Sequence, residues 1–125
     1  MAPPIWPVVS RIPWLGNQLF LLFDRRRQLE SAAAVVASEL EFNAEAVGHV
    51  ESGGRGLADL KEELRIADWT KHKTTLHALS RRHPTLWTEL DNAYARLERT
   101  VSRLADPPSS DTLTDLANRL RAAKY

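Results

Sequence analysis

From Leu15 to Val47 the apolar residues fall in alternating steps of four and three: Leu15, Leu19, Leu22, Leu29, Ala33, Val36, Leu40 and Val47. Only Arg26 and Asn43 interrupt this stripe. Such a period is the seam of one long amphipathic helix. Ala32, Ala33, Ala34 and Ala37 raise helix propensity and let a neighbouring helix approach closely. The Gly53-Gly54 pair, with Gly48 and Gly56 beside it, is where the helix should stop. At ~1.5 Å per residue the rod would be roughly 50 Å long. No other candidate helix in the chain reaches that length. Its first turns are apolar almost all round and are expected to overhang the rest of the molecule. Exposed apolar surface of that kind marks a partner or a membrane.

The remaining chain reads as shorter helices. Residues 57–83 contain neither proline nor glycine. Leu57, Leu60 and Leu64 predict a short helix near 57–64, and Asp68 is a candidate cap for another over 69–82. On the second, Trp69, Leu76 and Leu79 should face inward, with the Lys73 stem snorkelling beside them. His83-Pro84 breaks it, and Pro84 suits the first turn of a helix over 84–104. Leu86, Leu90, Ala93, Tyr94, Leu97, Val101 and Leu104 form the apolar stripe of that helix. Asp106-Pro107-Pro108-Ser109-Ser110 is a stop and linker. Ser110 or Asp111 then caps a last helix to about Ala123, with Leu113, Leu116, Ala117 and Leu120 as its face. No stretch alternates with period two, so no sheet is expected.

The fold class expected is all-α: an antiparallel helical bundle of four main helices plus one short helix, with the long N-terminal helix as spine. Residues 1–14 would be a proline-rich apolar segment, 15–105 the bundle core, and 106–125 a linker and a C-terminal helix packing on it. Core positions should include Val36, Leu40, Trp69, Leu76, Leu79, Leu90, Tyr94, Leu97 and Val101.

Charge is balanced overall, at +1 from 17 basic and 16 acidic residues, and this gives no bulk argument for nucleic acid. It is nonetheless segregated. Residues 30–63 hold eight acids and two bases, a balance of −6, while residues 64–83 hold five bases and one acid, a balance of +4. These two stretches are expected to oppose each other inside one bundle, helix one against the Trp69 helix.

The N-terminus bears on membranes. Pro3, Pro4, Pro7 and Pro13 argue against a regular helix over residues 1–14, yet the stretch is apolar and carries Trp6 and Trp14. Leu19, Phe20, Leu21, Leu22 and Phe23 follow, then Asp24 and the triplet Arg25, Arg26 and Arg27. A signal peptide would place its basic end first, so that reading fails. A full span needs ~20 mostly apolar residues, and Arg11, Asn17, Gln18 and two prolines interrupt residues 5–23. An interfacial anchor remains, because tryptophans favour the headgroup level and basic residues past an apolar run match the cytoplasmic side. The competing reading packs Leu19 to Phe23 on the bundle or on a second copy of the chain.

Candidate chemistry is sparse. The absence of cysteine rules out disulfides, thiolate metal sites and a cysteine nucleophile. His72 and His77 are five apart and His77 and His83 six apart, whereas ligands on one helix need three or four. Together with His49 they read as solvated or capping residues, with His83 placed to meet the end of its own helix. Ser80, three residues from His77 and from His83, has no oxyanion signature. The glycine cluster lacks a P-loop lysine and a preceding strand. Glu39, Glu41, Glu62 and Glu63 are poorly spaced for acid–base work. Arg96, Arg99 and Arg103 share a helical face, but Glu89, Asp91 and Glu98 neutralise that helix, which argues against DNA or RNA. Trp69, Trp87 and Tyr94 read as core aromatics.

Three stretches carry a resemblance: Glu39-Leu40-Glu41-Phe42-Asn43 on an arginine-headed helix, Asp68-Trp69, and Leu86-Trp87 with Ala93-Tyr94. Over residues 25–101 the chain resembles a loose group of uncharacterised small bacterial helical proteins, often with one N-terminal transmembrane helix. The group implies no catalytic residues. Before its arginines this chain departs from the group, being short, proline-broken and interrupted by Arg11.

The function expected is a non-enzymatic interaction module. Trp6, Trp14, Leu19, Phe20, Leu22 and Phe23 would be its apolar docking residues, and Arg25, Arg26 and Arg27 would meet anionic headgroups. The alternative is a soluble protein that self-associates through the same segment. Expected partners are the chain itself, another protein, or an anionic membrane surface on the cytoplasmic side. No cofactor, metal or small-molecule substrate is inferred.

Overall fold

The structure, a computed structural model, describes the backbone of residues 5–103 and 105–124, and the side chains of these residues except 5–18 and Phe20. The described residues are all-helical, with no strand. Six helices follow in order: α1 Ile5–Glu51, α2 Leu57–Glu63, α3 Ala67–Leu76, α4 Leu79–Arg82, α5 Pro84–Val101 and α6 Ser110–Ala122.

The expectation that prolines keep residues 1–14 from forming a helix is corrected, insofar as α1 begins at Ile5 and runs through Pro7 and Pro13; Pro3 and Pro4 lie outside the described residues. Pro7 falls in the first turn, where a backbone N–H has no helical acceptor to lose. Pro13 forfeits only one internal bond, and an established helix propagates more readily than it nucleates. With 47 residues, α1 is roughly 70 Å long. It ends as the glycine pair requires. Gly53 takes φ +80° and donates to Val50 O at 3.0 Å, while Gly54 donates to His49 O at 2.9 Å. This pairing closes the last turn on a left-handed residue.

The core lines one half of α1. Leu29 is the first of its described side chains to pack against the core, and Ala32, Ala33, Val36, Ala37, Leu40 and Val47 are buried. The alanines keep the partners close, with α3 on one side and α6 on the other. α6 contributes Leu113, Leu116, Ala117 and Leu120, all buried, and α5 contributes Leu86, Leu90, Tyr94 and Leu97. Eight of the expected core positions are buried, and Val101 is half-buried at the edge.

Three boundaries differ from the sequence reading. The helix expected over 69–82 is split. Ala78 donates to Thr75 O, Ser80 to His77 O and Arg81 to Ala78 O, a tightened turn that brings Leu76 and Leu79 onto one line facing the core. α5 stops at Val101 because Arg103 adopts φ 63° and donates to Thr100 O at 3.0 Å. At α6 the cap is Ser109, whose hydroxyl accepts from Thr112 N at 3.2 Å.

Charge pairing also differs. No ion pair joins α1 to α3 among the described residues. Instead Arg121 of α6 pairs with Glu41 of α1, Arg119 of α6 with Glu89 of α5, and Lys73 of α3 with Asp91 of α5 at 3.5 Å. The α1 acid that faces α3, Glu39, uses both its oxygens on backbone N–H groups.

Candidate docking surface

Two kinds of polar and apolar display arise from α1, one inside the bundle and one outside it. Inside, Asp68 does not cap α3. The side chain of Ile66 occupies the capping position and offers no acceptor. Glu39 does this work from across the helix interface: Oε2 accepts from Asp68 N at 2.8 Å and Oε1 from Trp69 N at 3.2 Å. A carboxylate on a helix N-terminus answers both the orphan donors and the helix dipole. Burial pushes the Glu39 carboxyl above the usual carboxylate range, opposed by the Tyr94 hydroxyl and the Asp68 and Trp69 N–H groups. The Tyr94 hydroxyl lies beside this carboxylate, buried and without full hydrogen-bond geometry; its own ionisation is driven upward by burial and by Glu39.

One turn on, Asn43 is fully buried in the apolar stripe. Its amide clamps Arg65 from both sides: Arg65 N donates to Oδ1 at 2.8 Å, and Nδ2 donates to Arg65 O at 2.8 Å. The Arg65 guanidinium then covers the Phe42 ring at 3.9 Å. Over this floor Trp69 stacks on Tyr94 at 4.6 Å and 2°, and tilts against Trp87 at 5.6 Å. His77 meets the Trp87 edge at 5.1 Å. Glu39 and Asn43 were not singled out as interior residues from the sequence. The signal was available for Asn43, an amide at a seam position between Leu40 and Val47, because a polar group tolerated there must be partnered. The Glu39 and Asn43 side chains of this cluster are committed to backbone groups of the α2–α3 link and the start of α3.

Outside, α1 projects beyond its neighbours. Leu19, Leu22 and Phe23 are 56%, 61% and 60% exposed, and Leu21, absent from the expected docking set, is exposed as well. Leu19, Leu22 and Phe23 share a face by their spacing, and Leu21 lies on another, so the stem presents apolar surface on more than one side. The side chains of Trp6, Trp14 and Phe20 lie outside the described residues. Arg25, Arg26 and Arg27 are all exposed. Arg26 pairs with Glu30 at 3.3 Å, and Asp24 accepts from Gln28 Nε2 at 2.9 Å.

Two open grooves flank the base of this stem. One is lined by Arg26, Glu30, Leu120, Arg121 and Lys124, between α1 and the end of α6. The other is lined by Asp24, Arg27, Gln28, Ser31, His72 and Thr75, between α1 and α3. His83 Nε2 lies 2.9 Å from Lys124 O, two residues past the end of α6, and this contact ties that segment to the start of α5. Among the described residues no group of three or more His, Asp or Glu is placed to hold a metal ion. No helix among them is long and apolar enough to cross a membrane. No family model matches the chain, nor does any curated protein or any solved structure.

Proposed function

We propose that the chain is a non-enzymatic helical interaction module that docks on a membrane surface through the projecting front of α1. Its helices form an antiparallel bundle with α1 as spine. Pairings that span the chain support that arrangement: Glu51 to Ser110 at one end of α6, and Arg121 to Glu41 towards the other. The observation that carries the docking reading is the exposure of Leu19, Leu22 and Phe23, each more than half open to solvent, with three exposed arginines following after Asp24. Apolar side chains left open in this way gain by transfer out of water, at about 25 cal/mol per Å² buried.

A second reading, self-association through the same stem, is favoured by one feature. Leu19 and Leu22 continue the stripe that is half-buried at Leu29 and buried from Ala33 onward, which is the geometry of a helix–helix seam. Co-sedimentation with vesicles and light scattering separate the two. The docking reading expects the full chain to pellet with vesicles and a Leu19→Ser, Leu22→Ser, Phe23→Ser variant to stay in solution. A chain that is oligomeric without lipid, becomes monomeric in that variant and ignores vesicles would establish the second reading instead.

A further inference from the structure

The stem leaves the bundle at one end, and that end is assembled from basic residues far apart in sequence. Arg26 shares a groove with Arg121 and Lys124 of α6. Arg27 shares another with His72 and Thr75 of α3. His83 touches the Lys124 carbonyl at 2.9 Å, which brings the exposed Arg81 and Arg82, one and two residues away, to the same end. Both arginines are thereby carried on the end of the molecule from which the stem leaves.

Partners sort the cations. Arg26 is matched by Glu30 and Arg121 by Glu41. Arg25, Arg27, Arg81, Arg82 and Lys124 have no acidic partner among the described residues. Asp24 is the one described acid at this end without a matching cation, its carboxylate accepting from the Gln28 amide. At the opposite end Glu45, Glu51, Asp59, Glu62, Glu98 and Asp111 stand beside Lys61, Arg96, Arg99 and Arg103, while Arg55 there pairs with Glu63. The stem end is thus net positive, while the opposite end carries both signs.

We propose that this basic end, formed by Arg25, Arg27, Arg81, Arg82 and Lys124 around the base of the stem, binds the headgroups of an anionic lipid bilayer and holds that end of the molecule against it. The inference rests on the docking reading above and extends it, because three of the five cations belong to α4 and the end of the chain. Charge complementarity selects the occupant. An apolar stem ringed by unpaired cations matches a surface that is apolar within and negative at its rim. Two copies joined in parallel through their stems would instead bring ten like charges together. Basic residues near an anionic leaflet each strengthen binding by roughly fivefold, and the attraction fades within a Debye length of ~8 Å at physiological salt.

The test uses the full chain, vesicles of neutral phosphatidylcholine, and vesicles containing anionic phosphatidylglycerol. Arg81→Gln, Arg82→Gln, Lys124→Gln is compared with the charge-reversed Glu variant and with the stem variant Leu22→Ser, Phe23→Ser. All these positions are exposed, and circular dichroism verifies the folds. The expected result is a loss of roughly a hundredfold on anionic vesicles for the Gln variant, more for the Glu variant, and no change on neutral ones. Orientation is read separately, since the chain has no cysteine and accepts single labels. A fluorophore at Thr85→Cys should become shielded from aqueous iodide on binding, while one at Ser52→Cys should stay accessible. Equal binding of the Gln and wild-type chains to anionic vesicles, or shielding at position 52 and not at 85, overturns the headgroup-reading role of this end while a defective stem variant would keep the docking reading. Wild-type chain that ignores both vesicles, or a stem variant that binds like wild type, overturns the docking reading and this inference together.

Discussion

Glu39 and Asn43 show how much of this bundle depends on two polar side chains. Removing the Asn43 amide strands the Arg65 N–H and carbonyl against the core. Asn43→Ala should therefore lower unfolding free energy by about 1–3 kcal/mol, measured by urea titration. A loss no larger than that of an exposed substitution would mean that solvent replaces the clamp. Glu39 gives a pH signature. Its folded carboxyl is raised above the ordinary value of 4.5, so the folded state holds the proton more tightly than the unfolded chain. The stabilisation from that proton is complete below 4.5 and is lost as pH climbs through the folded value. Glu39→Gln, which cannot ionise, should remove this slope. Denaturation midpoints of wild type and variant across pH 4–8, a range chosen about the ordinary value, should diverge with rising pH, with wild type the loser; parallel curves would refute the assignment.

At the scale of elements, α1 is the part against which the others are positioned. Glu39 caps α3, Asn43 holds the α2–α3 link, and Glu51 Oε1 accepts from Ser110 N at 3.1 Å at the start of α6. Each of these polar groups leaves the same helix and satisfies backbone donors that another helix cannot satisfy itself. Two helix ends can be compared directly. α1 closes on Gly53 at φ +80° with open space around it, while α5 closes on Arg103 at φ 63°. A side chain in that region costs ~1–2 kcal/mol, so Gly53→Ala should destabilise by about 1 kcal/mol. Arg103→Gly should gain a few tenths, the relieved strain exceeding glycine's extra unfolded-state entropy. Thermal melts of both variants check the opposite signs.

For the molecule as a whole, the stem and the bundle are energetically separate. Leu19, Leu22 and Phe23 bury little of themselves, so replacing them with serine should change stability by no more than ~0.5 kcal/mol while abolishing vesicle binding. A melt that falls with the binding would show these residues to be part of the core. Salt gives a complementary reading. Adding it should weaken association with anionic vesicles through the basic end and leave the intramolecular core, which is apolar, nearly unaffected.

Local pattern was enough to read the helical class, most helix positions and eight of the nine expected core residues, because a period of three and four fixes which side of a helix must avoid water. The overhang was legible for the same reason, one stripe being longer than its companions. Proline content misled about the start of α1, since a proline costs little in a first turn and a long helix absorbs another. Three things depended on which helices became neighbours. The acids of α1 found backbone N–H groups and an α6 arginine, not the bases of α3. Asn43, a blemish in the stripe, became a clamp once Arg65 arrived opposite it. Arg81, Arg82 and Lys124 joined the arginine triplet at one end although about forty residues separate His83 from Lys124. Periodicity records what each segment must hide, whereas hydrogen bonds and charge depend on distance, and distance between remote segments exists only after the chain has packed.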